Sequence, residues 1–419
     1  MKPTAVPVVL DQLESKVNMM KIVVMKYGGT SVATEESREK IANHVIACRK
    51  KGEFPVVVVS AIGRKGDPYA TDTLINLLPN PQLDYMSRDM DLLMSCGETI
   101  SAVILSNLLK TKGEKAVALT GYQAGILTNN AYGDANVINV QSEAIQKYLM
   151  DEHIVIVTGF QGMDNDKNVT TLGRGGSDTT AAILGEALNA DRIEIYTDVD
   201  GVMTADPRVV KNAQVIDNIN FDEVYQMAKD GAKVVDHKAV AIAKRANKPL
   251  YIKNTFSEAE GTRIDNDETS DKNQEKVLTA IACKKDIVQV TVEISSLDKG
   301  NEELLNAMEK ERISIDMINF FDQRKVFTIN GLDLDKMEVI LKKLGADYKF
   351  TTKCSKITAI GHRIHGVPGV MRRIVFALAS QNIDILQTSD SNTTIACLIA
   401  RNHVDNAMNV LHREFGLEK

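Results

Sequence analysis

From residue 21 to about residue 256 the sequence alternates short Val/Ile-rich runs with amphipathic stretches, and this alternation constrains the fold more than any other feature. The runs fall at 21–25, 55–61, 116–120, 154–160, 192–197 and 249–255. Most are apolar at consecutive rather than alternate positions, as in strands covered on both faces of a sheet. The stretches between them, at 34–51, 84–111, 178–188, 222–229 and 236–245, have helical spacing. In 84–111 the residues Leu92, Leu93, Ile100, Val103, Ile104, Leu108 and Leu109 recur near a helical period, and this stripe is read as the face packed on the core. Strands and helices in alternation predict a largely parallel sheet between helical layers.

Further along, the pattern changes. Residues 257–276 hold seven acidic and three basic residues, with Ile264 as the single large aliphatic, and read as a solvated linker. Beyond them lies an internal repeat offset by 70 residues. Ile287-Val288-Gln289-Val290 aligns with Ile357-Thr358-Ala359-Ile360, Leu304, Ala307 and Met308 with Ile374, Ala377 and Leu378, and Ile313-Ser314-Ile315 with Ile383-Asp384-Ile385. Each copy reads strand, helix, strand, strand, then a second helix near 335–344 or 404–414. That is a βαββαβ unit of ~70 residues. The expected division is an N-terminal extension (1–20), a catalytic region (21–256), the linker (257–276) and two repeats (277–350 and 351–419). Met20, which opens Met20-Lys21-Ile22-Val23-Val24, is a plausible alternative start.

Composition narrows the function. A net charge of −6 argues against a nucleic-acid partner held by general phosphate attraction. Five cysteines, an odd number with no CxxC, suit neither a disulfide framework nor a structural zinc site, and point to the reducing cytoplasm. No run of 18 apolar residues occurs, so no membrane span is predicted. A P-loop, a complete dinucleotide fingerprint, the protein-kinase signatures, GxSxG and HExxH are all missing from the sequence.

What remains is a set of small-residue turns at strand ends. Lys26-Tyr27-Gly28-Gly29-Thr30-Ser31 joins a buried strand to a helix, and its paired glycines allow a sharp turn and close approach to a ligand. A helix N-terminus there, together with the Lys26 charge, suits a phosphate. Ser60-Ala61-Ile62-Gly63 is a second such turn. Gly173-Arg174-Gly175-Gly176-Ser177-Asp178 is the third, where Arg174 could clamp a carboxylate and Asp178 could equally be a plain helix cap. Thr197-Asp198-Val199-Asp200-Gly201 and Gly231-Ala232-Lys233-Val234 complete the set.

Taken in order, KYGGTS (26–31), SCGE (95–98), GFQG (159–162), GRGGSDTTAA (173–182), TDVDGVMTADPR (197–208) and GAKV (231–234) resemble the aspartate kinases of the amino-acid-kinase superfamily. The two repeats resemble the ACT domains of those enzymes, and the 385–391 segment is similar to the diaminopimelate-sensitive Gram-positive type. The resemblance implies an α/β class: an α/β/α sandwich followed by two ferredoxin-like ACT regulatory domains. It also implies transfer of the γ-phosphoryl group of ATP, with nucleotide-bound Mg2+, to the β-carboxylate of L-aspartate. In that reading Lys26, Tyr27, Gly28 and Gly29 hold the ATP phosphates, with Ser60 beside them. Glu98 and Arg174 hold aspartate, helped by Thr30, Ser31 and Ser177. Asp178 organises the phosphoryl site and orients Lys26. Thr197, Asp198, Met203, Arg208, Lys233 and Val234 line the nucleotide site. Asp316, Asn382, Ile383, Ser389 and Asp390 are the implied contacts of an amino-acid effector (diaminopimelate or lysine, or else threonine), in a homodimer or higher homo-oligomer formed through ACT domains.

Two positions depart from the pattern. Many relatives carry an aromatic residue where this chain has Met203, and His-Pro-Arg where it has Asp236-His237-Lys238. The alternatives are another amino-acid kinase, acting on glutamate or acetylglutamate, and an inactive amino-acid sensor. The KYGGTSV start with two ACT-like repeats disfavours the first. Retention of Lys26, Glu98, Arg174, Asp178 and Lys233 together disfavours the second.

Overall fold

The computed structural model describes residues 20–80, 86–232, 234–266, 277–293, 299–362, 364 and 366–418. Lys233, the second half of the expected linker (267–276) and the 1–19 segment lie outside them. The chain forms two compact units. One comprises Met1–Val202, Val215–Tyr225 and Lys233–Ser270, the other Met203–Gln214, Gln226–Ala232 and Asp271–Lys419.

The elements of the first unit are β1 (Ile22–Tyr27), α1 (Glu35–Lys50), β2 (Phe54–Val59), α2 (Thr71–Ile75), α3 (Arg88–Thr111), β3 (Ala116–Leu119), β4 (Ile126–Thr128), β5 (Val137–Val140), α4 (Glu143–Met150), β6 (Ile154–Thr158), β7 (Gln161–Met163), β8 (Val169–Thr171), α5 (Gly176–Ala187), β9 (Arg192–Thr197), β10 (Asn218–Asn220), α6 (Phe221–Lys229, which runs into the second unit), α7 (His237–Arg245), β11 (Leu250–Asn254) and β12 (Thr262–Asp265). Its main sheet has the order β10-β12-β11-β9-β1-β2-β6-β3 and is parallel except between β11 and β12. A smaller sheet runs β5-β4-β7-β8. Strands β1, β2 and β6 are almost wholly buried, which explains their unbroken Val/Ile runs. Ile41, Ala42 and Val45 of α1 and Ala102, Leu105 and Leu109 of α3 pack on one face, against Val23, Met25, Val57 and Val59. Helix α5 lies along β1, β9 and β2.

Two expectations are corrected here. Residues 262–265 do not belong to a solvated linker: they form β12, because Ile264 and Thr262 bury completely beside β11. On α3 the stripe read as core-facing is partly turned outward, with Leu92, Val103 and Ile104 exposed. The buried face instead carries Asp91, Ser95, Glu98, Ser101, Ala102 and Leu105. Small residues let the helix approach the sheet, and its carboxylates are held by loops of the other layers. This helix is long and apolar enough to cross a membrane by composition, but half of its most apolar window is buried within the protein.

The second unit adds β13 (Ala280–Glu293), α8 (Lys299–Lys310), β14 (Asp316–Phe320), β15 (Arg324–Asn330), α9 (Leu334–Leu344), β16 (Asp347–Ile360), α10 (Val370–Ala379), β17 (Gln387–Asp390), β18 (Thr394–Ala400) and α11 (Val404–Glu414). One sheet runs β14-β15-β13-β16-β18-β17. The later part of β13 (287–293) pairs with β15 and the first part of β16, while the earlier part (280–284) pairs with the last part of β16. The two repeats therefore share a pair of long strands instead of forming two separate sheets. Helices α8 and α9 cover the first half, α10 and α11 the second. Gln387 on β17 donates to Asn319 on β14 at 2.6 Å and to the Met317 carbonyl, so the two ends of the sheet meet.

One ionic contact is buried in this unit. Lys356 Nζ on β16 lies 2.6 Å from Asp230 and 2.5 Å from Asp316, with Lys356 and Asp230 both buried. Burial alone would lower the lysine pKa, but the two carboxylates hold it above its ordinary value. Lys356→Met keeps the stem and strands the Asp230 charge. We expect a loss of about 3 kcal/mol in chemical denaturation, and a loss under about 1 kcal/mol would mean that Asp230 finds water.

Candidate active site

The strands β1, β2, β6 and β9 end side by side, and their carboxyl ends open on a cleft of about 840 Å3 in the first unit. Such crevices are where open parallel sheets take ligands. The turns after β1 and β2 interlock: the Gly63 N–H donates to the Gly29 carbonyl at 2.9 Å and the Ser60 N–H to the Tyr27 carbonyl at 3.1 Å. A Cβ on Gly29 would come within 2.5 Å of the Gly63 oxygen and 2.8 Å of the Ala61 oxygen, so only glycine permits this approach.

Lys26, at the end of β1, places Nζ 2.6 Å from Asp178 Oδ1 in the first turn of α5. Each side chain is only 12% exposed, so solvent screens the pair little. The Asp236 N–H donates to the other Asp178 oxygen at 3.1 Å, and the Asp236 side chain caps α7 through the Lys238 N–H. Asp178 is thus more than a helix cap. Arg174 is exposed at the cleft between Gly173 (φ +73°) and Gly175 (φ +72°), both in the left-handed region that glycine favours. Ser177 also lines the cleft.

Glu98 reaches the cleft from α3. It is buried, one oxygen accepts from the Ala61 N–H at 3.0 Å, and the other has no hydrogen-bond partner among the described residues. Burial pushes its carboxyl up to about 8, against the pull of the Ala61 N–H.

The cleft thus gathers Lys26, Gly29, Ser60, Glu98, Arg174, Ser177 and Asp178. Other expected site residues stand elsewhere. The Tyr27 ring is fully buried, stacked 4.6 Å from Tyr196, because odd positions of β1 face the core under α1. Ser31 is buried and bonds Thr255 at 2.7 Å. Gly28 and Thr30 belong to the same turn, Thr197 contacts Asp198, and Asp198 pairs at 2.5 Å with Arg64, which lines the cleft. Val234 lies in the turn before α7. In the second unit Met203 packs on the apolar cluster of α10 and α11, and Arg208 folds back on Asp206. Of the expected effector contacts, Asp316 belongs to the Lys356 cluster, Asn382 lies in the turn after α10 with φ 55°, Ile383 is core, and Ser389 and Asp390 lie on β17. Arg64 and Asp134, also at the cleft, carry no motif that would have singled them out; Phe160, in the GFQG motif, and His237, at the departure after Lys233, line it too, though neither was assigned a role from sequence.

Residues 21–254 match the amino acid kinase family and residues 349–413 an ACT domain. The chain is 43% identical to aspartokinase 1 of Bacillus subtilis (strain 168), over 96% of this chain and 100% of that protein. It is 38% identical to the aspartokinase of Geobacillus stearothermophilus, over 95% and 98%. Among solved structures, E. coli aspartokinase III in complex with aspartate and ADP superimposes with a TM-score of 0.78 at 25% identity, over 94% of this chain and 100% of that one. The same enzyme in complex with lysine and aspartate gives 0.72. The chain belongs to the amino acid kinase family and, within it, to the aspartokinases.

The interlocked turns make a direct prediction. Gly29→Ala forces them apart at a cost of about 1–3 kcal/mol. Thermal unfolding should shift down and nucleotide binding, measured by calorimetry, should weaken, whereas an unchanged melting curve would contradict the contact.

Proposed function

We propose that this protein transfers the γ-phosphoryl group of ATP to the β-carboxylate of L-aspartate, giving 4-phospho-L-aspartate, the first step toward lysine, threonine and methionine, under amino-acid control through its ACT domains. The observation that carries the reading is the Lys26–Asp178 pair, set between two glycine turns at one cleft with Arg174 and Glu98, in a chain so similar to known aspartokinases.

The chemistry follows from charge. The acceptor carboxylate has a reference pKa near ~4 and is already ionised at neutral pH, so it needs no general base. Two anions must be brought together in line, so the site has to supply cations and N–H dipoles. Lys26 and the open N-terminus of α5 face the phosphates, and the Gly28-Gly29 turn, with Ser60, lets the backbone approach them. Lys233 adds a second cation, and Thr197, Asp198 and Val234 border the nucleotide. Arg174 clamps the α-carboxylate of aspartate, Glu98 pairs with its ammonium group, and Ser177 and Thr30 complete the substrate contacts. Asp178 holds Lys26 in line. Among the described residues no three acidic, His or Cys side chains gather to bind a metal without the nucleotide. Mg2+ carried on the nucleotide phosphates would supply further positive charge beside Lys26.

E. coli aspartokinase III has been seen with lysine, and the repeat-bearing unit here supports an amino-acid effector, diaminopimelate or lysine or else threonine, in a homodimer or higher homo-oligomer formed through ACT domains. The effector site draws on Asp316, Asn382, Ser389 and Asp390, with Ile383 supporting it from the core. Five unpaired cysteines support a cytoplasmic setting.

An assay with ATP and L-aspartate, trapping the acyl phosphate with hydroxylamine, tests the activity, and no hydroxamate from the wild-type protein would refute it. Lys26→Ala should lower kcat by at least about 10²–10³ with the circular dichroism unchanged. Because the Glu98 carboxyl stays protonated up to about 8, pairing with an ammonium group must ionise it. The KM for aspartate should fall as pH rises toward 8 and level off above, and Glu98→Gln should raise that KM and abolish the slope. Calorimetric titration of the full chain with lysine, diaminopimelate and threonine tests regulation, and no heat from any of the three would remove the sensor role.

A further inference from the structure

One carboxylate near the cleft takes no part in the chemistry above. Asp91, in the first turn of α3, is fully buried, and among the described residues it forms no ion pair. Burial opposes its charge, and three donors answer it. The Gly133 N–H lies 3.0 and 3.1 Å from its two oxygens, the Thr171 N–H donates to Oδ2 at 2.7 Å, and the Thr171 hydroxyl donates to Oδ1 at 2.8 Å. A buried carboxylate without a cation is costly unless its donors are fixed in place.

Those donors sit on the two chain segments that frame Arg174. Thr171 ends β8, two residues before Gly173 and three before Arg174. Gly133 precedes Asp134, whose carboxylate packs so close to Gly173 that a Cβ there would come within 2.5 Å of Asp134 Oδ1. The two segments are joined to each other by the Ala135 N–H, which donates to the Thr171 carbonyl at 2.8 Å. Two helical turns along the same buried face of α3 comes Glu98. One helix therefore carries Glu98 directly and holds the Arg174 loop through Asp91.

We propose that Asp91 is a positioning residue that sets the spacing between Arg174 and Glu98, and thereby fits the cleft to an acceptor amino acid the length of aspartate. The proposal rests on the reading of Arg174 and Glu98 as the two grips on that substrate. In Asp91→Asn the amide keeps the shape but loses the charge that strengthens these bonds, and its NH2 meets the Gly133 N–H, which spans both oxygens, so the loop is released. Hydrogen bonds to charged groups are strong enough for the KM for aspartate to rise about tenfold or more, while the KM for ATP stays within about twofold.

Wild-type turnover of aspartate tests the function on its own. Given that turnover, the variants judge Asp91. Thr171→Val removes only the hydroxyl donor and should raise the aspartate KM by a smaller factor in the same direction, which keeps the test open if Asp91→Asn folds poorly. A double-mutant cycle with Arg174→Ala separates positioning from general stability: Asp91→Asn, or Thr171→Val in its place, should add little to the aspartate KM once Arg174 is gone. Parallel rises in both KM values, full additivity with Arg174→Ala, or an unchanged aspartate KM would overturn the proposal.

Discussion

The contact on which the site depends is the one between Lys26 and Asp178. It joins the end of a central strand to the first turn of a helix more than 150 residues later in the chain, at the edge where the parallel strands open. A nearly buried lysine facing a nearly buried aspartate is stable only while both are present and the remaining lone pairs are satisfied. The Asp236 N–H meets that second requirement, so the turn before α7 is drawn to the same point. The glycines around it follow from the same crowding. Three stretches of backbone converge on one ion pair, and side chains at Gly29 or Gly175 would occupy the space they need.

Much of this was legible in the sequence. Strands buried on both faces leave unbroken Val/Ile runs, and the expected runs coincide with β1, β2, β3, β6, β9 and β11. Turns of small residues at strand ends marked the cleft. Periodicity failed in part on α3, where Leu109 buries as expected but Leu92, Val103 and Ile104 turn outward and small and polar residues take their place. A helix that carries buried carboxylates hides small and polar residues, and a hydrophobic count cannot register them. Tyr27 and Ser31 show a related limit. Their place in a glycine motif says nothing about which way each side chain turns, and here the backbone serves the cleft while the side chains build the core. The role of Asp91 was equally hidden, because its partners are backbone N–H groups of distant segments.

Three buried charges are accommodated in three ways. Lys356 is bracketed by two carboxylates. Asp91 is held by dipoles alone. Glu98 has one donor and one open oxygen, and its pKa moves accordingly. The first two arrangements are closed and suit fixed architecture. The third is open, and a group left unsatisfied inside a cleft is prepared for a ligand that satisfies it.

The strand β13 has an implication for how the chain can be divided. Its first residues complete the sheet half whose helices come near the C-terminus, although its last residues begin the other half. The first repeat is thus threaded into the second, as a phrase is set inside a parenthesis. The outer half completes its sheet only when chain on both sides of the insertion has been made, because 280–284 pairs with 356–360, whereas the inserted half is continuous. Folding of the two halves is tied together by covalent order, and a disturbance in one has a direct backbone route into the other.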